Sequence, residues 1–168
     1  LRHLNEFIVF IHVLSAIIWL GGILFIAIVM VPTLRKFEPQ EYGTKILSSS
    51  GLRFRTVSWI AILILLLTGM LNAINRGVTV HSISTGSLFL SHFGKILTLK
   101  VVLVVLMLVL SAIHDFFLGP KLAQLIDSGE SIPTLPSRIK KYRRFVSWIA
   151  RINAFLGLLV LACAVMLS

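Results

Sequence analysis

Four long apolar runs, the near-absence of charge inside them and the basic residues gathered between alternate runs predict an all-α membrane protein, an antiparallel four-helix transmembrane bundle. Of the 168 residues 57% are hydrophobic and only 13% are charged, and the mean hydropathy is +0.98. A chain of this length holds about four spans and short loops, so one domain without a soluble module is expected.

The spans run from Leu4 to Val31, Val57 to Ile74, Phe93 to Phe117 and Phe145 to Leu167, each near the ~20 residues a helix needs to cross hydrocarbon. The first is too long for a signal peptide and lacks a small-residue cleavage site, so it reads as a span. Pro32 and Pro120 mark the exits of the first and third. Arg35, Lys36, Lys45, Arg53 and Arg55 lie between the first two spans, and Lys121, Arg138, Lys140, Lys141, Arg143 and Arg144 between the last two. The other side carries only Arg2, Arg76 and Lys95. The positive-inside rule therefore puts both basic loops in the cytoplasm and both termini outside a bacterial inner membrane. Topology and anionic lipid account for the net charge of +10, and no nucleic-acid partner is expected.

Outside the spans, the Ser-, Thr- and Gly-rich stretch from Arg76 to His92 is expected to fold over the outer mouth of the bundle. Asp127 to Pro136 reads as a cytoplasmic connector, and Arg138 to Arg144 as an amphipathic lead-in at the membrane surface. The single cysteine, Cys163, excludes an internal disulfide and a cysteine-only metal cluster.

Two ionisable residues stand alone in apolar surroundings, His12 in the first span and Lys100 in the third, at similar depth. Charge in hydrocarbon is costly, so such residues face the bundle interior, a cavity or an anionic partner. His12, Ser15, Trp19 and Gly22 share one helix face by their spacing of three and four, with Gly21 adjacent. The two glycines serve either as a helix contact or as the seat of a flat ligand. On the third span Lys100, Val104, Met107, Ser111 and His114 form a second stripe, with Lys100 and His114 about 20 Å apart along the axis and so unable to share one metal. An outer site is expected around His12, Lys100 and Asn72, with His92 or His81 folding in, and a weaker inner site around His114 and Arg151. Lys100 snorkelling to the surface and His114 pairing with Asp115 are the plainer alternatives.

Soluble-enzyme chemistry is poorly supported. Gly94-Lys95 lacks the upstream glycine of a phosphate loop, and His-Glu-x-x-His, Cys-x-x-Cys and Gly-x-Ser-x-Gly are missing from the sequence. The six acidic residues lie near span ends or in loops.

The chain resembles the CopD family of copper-resistance membrane proteins, through His12-x6-Trp19-x-Gly21-Gly22, Arg53-Phe54-Arg55 leading to Thr68-Gly69 and Asn72, and Phe93 to Leu97 followed by Lys100, His114 and Pro120-Lys121. A local resemblance links His12, Lys100 and the later His114 to the HemJ-type protoporphyrinogen oxidases, which are associated with b-type haem. These resemblances imply a redox metal centre held inside the bundle. Haem b would take His12 as axial ligand, with His81 or His92 opposite, Trp19 and Gly22 lining a slot, and Lys100 or Arg151 on a propionate. Electrons would pass to a quinol or a periplasmic carrier, as electron transfer or as haem-dependent oxidoreductase chemistry. The alternatives are copper binding or transport, with Met70, Cys163 and Met166 as soft donors, and a structural subunit of a membrane complex. Lipid is the one certain partner, and a homo-oligomer is compatible with the sequence.

The charge count makes a direct prediction about orientation. In a Cys163→Ser background, an impermeant thiol reagent added to intact cells labels Ser84→Cys and spares Ser128→Cys; the reverse pattern inverts the topology.

Overall fold

The computed structural model describes residues 2–36, 38–121 and 137–167, and all regular structure among them is helical. Helix α1 (Arg2–Phe25) continues through a π-helical turn (Ile26–Met30) into α2 (Val31–Leu34). Helix α3 (Gln40–Asn75) is followed by two short helices, α4 (Val80–Ser84) and α5 (Ser87–Leu90). Helix α6 (His92–Ala112) ends in a second π-helical turn (Ile113–Leu118), and α7 (Ser137–Met166) closes the chain. Four stretches are long and apolar enough to cross a membrane: His3–Leu34, Lys45–Asn75, His92–Lys121 and Arg144–Met166.

The spans match the expectation in number and order, and their ends do not. Helix α3 begins at Gln40, well before Val57. Its 36 residues extend about 54 Å, against ~30 Å of hydrocarbon, so the helix projects from the bilayer with Arg53 and Arg55 still on it. The stretch expected as a separate lead-in, Arg138 to Arg144, is likewise part of α7. The connector from Asp127 to Pro136 lies outside the described residues.

Neither proline ends its helix. Pro32 sits inside α2 directly after one π-turn, and helical structure continues through Pro120 after the other. A proline removes one backbone donor and crowds the carbonyl four residues back. A π-turn widens the ladder where that crowding falls, and the Thr33 hydroxyl donates to the Val29 carbonyl at 2.7 Å.

Helix ends on the terminal side are fixed by local chemistry. Gly77, at φ 84°, closes α3 by a Schellman arrangement in which Gly77 N donates to Ile74 O at 2.9 Å and Val78 N to Ala73 O at 3.1 Å. Thr79 and Ser82 form a reciprocal capping box on α4, and Ser91 Oγ accepts from Gly94 N at 3.0 Å to cap α6. A Cβ on Gly94 would overlap the Leu88 carbonyl, so glycine lets α5 fold tightly onto α6.

The spans pair as two antiparallel hairpins, α1 with α3 and α6 with α7, and α1 also packs against α7. Small residues make the close approaches. The Phe54 ring lies on Gly22, where a Cβ would overlap the ring, and Trp19 lies on Gly157, where a Cβ would fall 3.1 Å from Cζ3. Trp19, Ala61, Ile62, Met107 and Leu156, drawn from all four spans, form the apolar core. Both termini lie at one end, here the terminal face: Asn75 Nδ2 donates to Asn5 Oδ1 at 2.9 Å, and the Arg76 guanidinium bonds the Leu167 carbonyl.

Only 17% to 28% of the most apolar window of each span is buried within the protein. Phe7, Phe10, Ile17, Ile28, Leu63 and Val102 are among many large apolar side chains left exposed. A surface of this kind is suited to contact with a lipid bilayer.

The Gly22 contact can be tested by crowding it. Gly22→Val destabilises the detergent-solubilised bundle by about 1–3 kcal/mol through overpacking, Phe54→Ala relieves part of that loss, and Gly21→Ala, which meets open space, is neutral. Thermal unfolding followed by size-exclusion chromatography reads all three.

Candidate functional site

The polar groups of the bundle interior fall into two clusters with the apolar core between them. In the terminal half, α1 brings His12 against α3, where His12 Nδ1 lies 2.8 Å from Thr68 Oγ1. The Thr68 hydroxyl itself donates to the Ile64 carbonyl at 2.6 Å. Its one proton is thereby committed, so it accepts from His12 Nδ1–H, and this assignment leaves the lone pair on Nε2. The imidazole rests on Gly69, where a Cβ would lie 3.4 Å from Cε1. Lys100, half-buried on α6, is within electrostatic range of His12 and also of Cys163 and Arg76.

The second cluster lies at the other end, the loop face, and is organised by Asp115 on the π-turn after α6. Its Oδ1 is 2.9 Å from His114 Nδ1, and its Oδ2 accepts from Trp59 Nε1 at 3.0 Å. Arg55 donates to the Asp115 backbone carbonyl at 3.1 Å and stacks over Phe116 at 5.9 Å from the ring centroid. Trp59 and Phe116 are in contact, with centroids 5.4 Å apart. Closer to the bundle centre, Asn153 Nδ2 donates to Ser111 Oγ at 2.7 Å, and both residues are buried. Asn153 Oδ1 is buried without a partner.

Several residues singled out from sequence come together here, and others do not. His12 and Lys100 lie within electrostatic range of each other, and Asn72 lies one turn beyond Thr68 on the same face of α3. Trp19 is a core residue packed on Gly157. Gly22 is covered by Phe54, whereas Gly21 faces open space, so the slot expected beside these glycines is closed by a phenylalanine ring. His81 and His92 are exposed. Arg151 is exposed and stacked over Trp148 at 5.5 Å. His114 takes the plainer alternative, paired with Asp115. Among the described residues no group of three or more His, Cys, Asp or Glu side chains is placed to hold one metal ion.

Thr68 and Ser111 are visible in the sequence as polar positions, in the Thr68-Gly69 pattern and on the stripe of the third span, but without their partners. Trp59 and Asn153 were not legible as site residues, because their contacts depend on the register between helices.

Asp115 ties α3 to the π-turn at the loop face, and Asp115→Ala deprives Trp59 and His114 of their partners. It lowers stability by about 1–3 kcal/mol and moves Trp59 to a more mobile environment. Thermal unfolding and tryptophan fluorescence anisotropy check both effects, with Trp148→Phe as background.

Residues 50–167 match the family model described as Copper resistance protein D, CopD. The match takes in the second, third and fourth spans, from Arg53-Phe54-Arg55 through Lys100 and His114 to the end of α7, while the first span with His12 precedes it. No curated protein and no solved structure matches the chain. With well over half of its length matched, the chain belongs to the CopD family of copper resistance proteins.

Proposed function

We propose that this protein handles copper as cargo, binding the monovalent ion at His12 in the terminal half of the bundle and passing it across the bilayer. The observation that carries the reading is the imidazole itself: it lies inside a membrane span with Nδ1 bonded to Thr68, and the tautomer this bond favours carries the ligand lone pair on Nε2. A ligating histidine commonly donates its other N–H to a fixed acceptor, which sets the tautomer and orients the ring. Family membership supplies the link to copper.

The sulfur atoms favour the same half of the bundle. Cys163 is 5% exposed, while Met70 and Met166 are 61% and 65% exposed and face away from the interior. Imidazole nitrogen with thiolate or thioether sulfur suits Cu(I), which accepts low coordination numbers and soft donors. The nearby Lys100 ammonium opposes a divalent ion more strongly than a monovalent one. With the termini outside, copper would arrive from the outer surface and leave at the cytoplasmic, arginine-rich face.

Haem b fits these residues less well. A macrocycle needs a slot, and Phe54 occupies the one beside Gly22. The opposing ligands expected for it, His81 and His92, are exposed, and Arg151 is stacked on Trp148.

Titrating the purified protein in nanodiscs against a chromophoric Cu(I) chelator tests the reading. Cu(I) binding is expected in the native chain, lost in His12→Ala, and weakened about 10–100-fold in Thr68→Val, which removes the brace and keeps the ligand. Equal affinity in His12→Ala and the native protein would overturn the assignment. A Soret band lost on His12→Ala would restore haem in its place.

A further inference from the structure

We propose that one stripe of α6 and its π-turn, with Asn153 facing it from α7, is the path by which Cu(I) crosses from the His12 site to the loop face. The proposal rests on the copper reading above and assigns three residues that reading leaves unused: Met107, Asn153 and His114. The argument starts from Asn153 Oδ1, buried and unpartnered in a residue only 8% exposed. A carboxamide oxygen in hydrocarbon is retained at a cost unless something transient or ordered answers it. Its Nδ2 is held by Ser111 at 2.7 Å, so the oxygen is fixed in place.

The chemistry on either side of this oxygen is suited to Cu(I). Met107 lies one turn before Ser111 on α6 and is 5% exposed, which puts a thioether inside the apolar core between the two polar clusters. Methionine is an ordinary core filler, but here it stands on the same stripe as Lys100, Ser111 and His114. His114, three residues after Ser111, repeats the arrangement of His12. Its Nδ1 is 2.9 Å from Asp115 Oδ1, leaving Nε2 to carry the lone pair in the neutral ring. The Asp115 carboxylate cannot donate when ionised and so accepts from the ring.

Charge changes sign along the stripe. His12 is within electrostatic range of the Lys100 ammonium, and His114 is paired with the Asp115 carboxylate at 2.9 Å. Arg55 reaches the Asp115 backbone carbonyl and the Phe116 ring, while the carboxylate oxygens are taken by His114 and Trp59. A cation moving from the first histidine to the second leaves a positive neighbour for a negative one. Soft sulfur in the apolar layer and amide oxygen beyond it would divide the crossing into short steps.

The experiment measures Cu(I) binding, Cu(I) flux into proteoliposomes and thermal stability on the same full-length preparations. Met107→Leu, Asn153→Leu and His114→Gln leave His12 untouched and should bind Cu(I) within about twofold of the native chain, while flux falls about 10-fold or more. Met107→Leu conserves volume, and Asn153→Leu removes an unanswered oxygen, so both should keep the native Tm. Native flux in all three, with binding still dependent on His12, overturns the path and leaves the copper reading standing. A flux loss that tracks a fall in Tm overturns it too, because the groups would then only pack. A native chain that binds no Cu(I) overturns the copper reading itself and the path with it.

Discussion

Hydrocarbon offers no hydrogen-bond partner, and the arrangement of these helices follows from answering each polar group inside the protein. Thr68 bonds back to its own helix and across to His12. Asp115 bonds on both carboxylate oxygens and on its carbonyl, drawing Trp59, His114 and Arg55 to one residue. The prolines obey the same rule, since each lies just beyond a π-turn and Thr33 supplies a donor near Pro32. Asn153 Oδ1 departs from it, and a departure at this depth is a reason to look for function.

Apolar packing is correspondingly light. None of the large described side chains is fully sealed, and the core joins the four spans through a few residues around Trp19 and Met107. Between membrane helices there is little hydrophobic drive, because lipid is as apolar as leucine. Close contact at small residues takes its place: Phe54 reaches Gly22 and Trp19 reaches Gly157. Interhelical hydrogen bonds then set the register, with His12 to Thr68 joining the first hairpin and Asn153 to Ser111 the second.

The spans were legible because long apolar runs have few alternatives, whereas their ends were not. Arg53, Arg55 and the basic residues before Phe145 depress hydropathy without opposing a helix, so α3 and α7 run on past the bilayer. Pro32 and Pro120 read as stops because a π-turn leaves no mark in the sequence. His12 and Lys100 were visible as isolated polar residues, and helical periodicity put them inside. Their partners were hidden, since contact between Thr68 and His12 depends on the rotation of two helices about their axes. The same uncertainty covered the sulfurs: Met70, Cys163 and Met166 shared a depth, and only the rotation of α3 and α7 separates the buried cysteine from the exposed methionines.

That rotation also bears on the size of the ligand. An interior in which Phe54 covers Gly22, Trp19 covers Gly157 and the His12 ring lies on Gly69 has few open faces for a planar macrocycle. A bare Cu(I) ion requires only donor atoms in sequence along a seam, with side-chain motion enough to pass from one to the next. Methionine, with a flexible unbranched chain, is the core residue best able to supply that motion, and Met107 occupies the apolar layer where both backbone and solvent are unable to serve as ligand. The tight helix contacts that oppose a haem slot are therefore compatible with the proposed ion path, in which the position of a few soft donors, rather than a preformed cavity, would set selectivity.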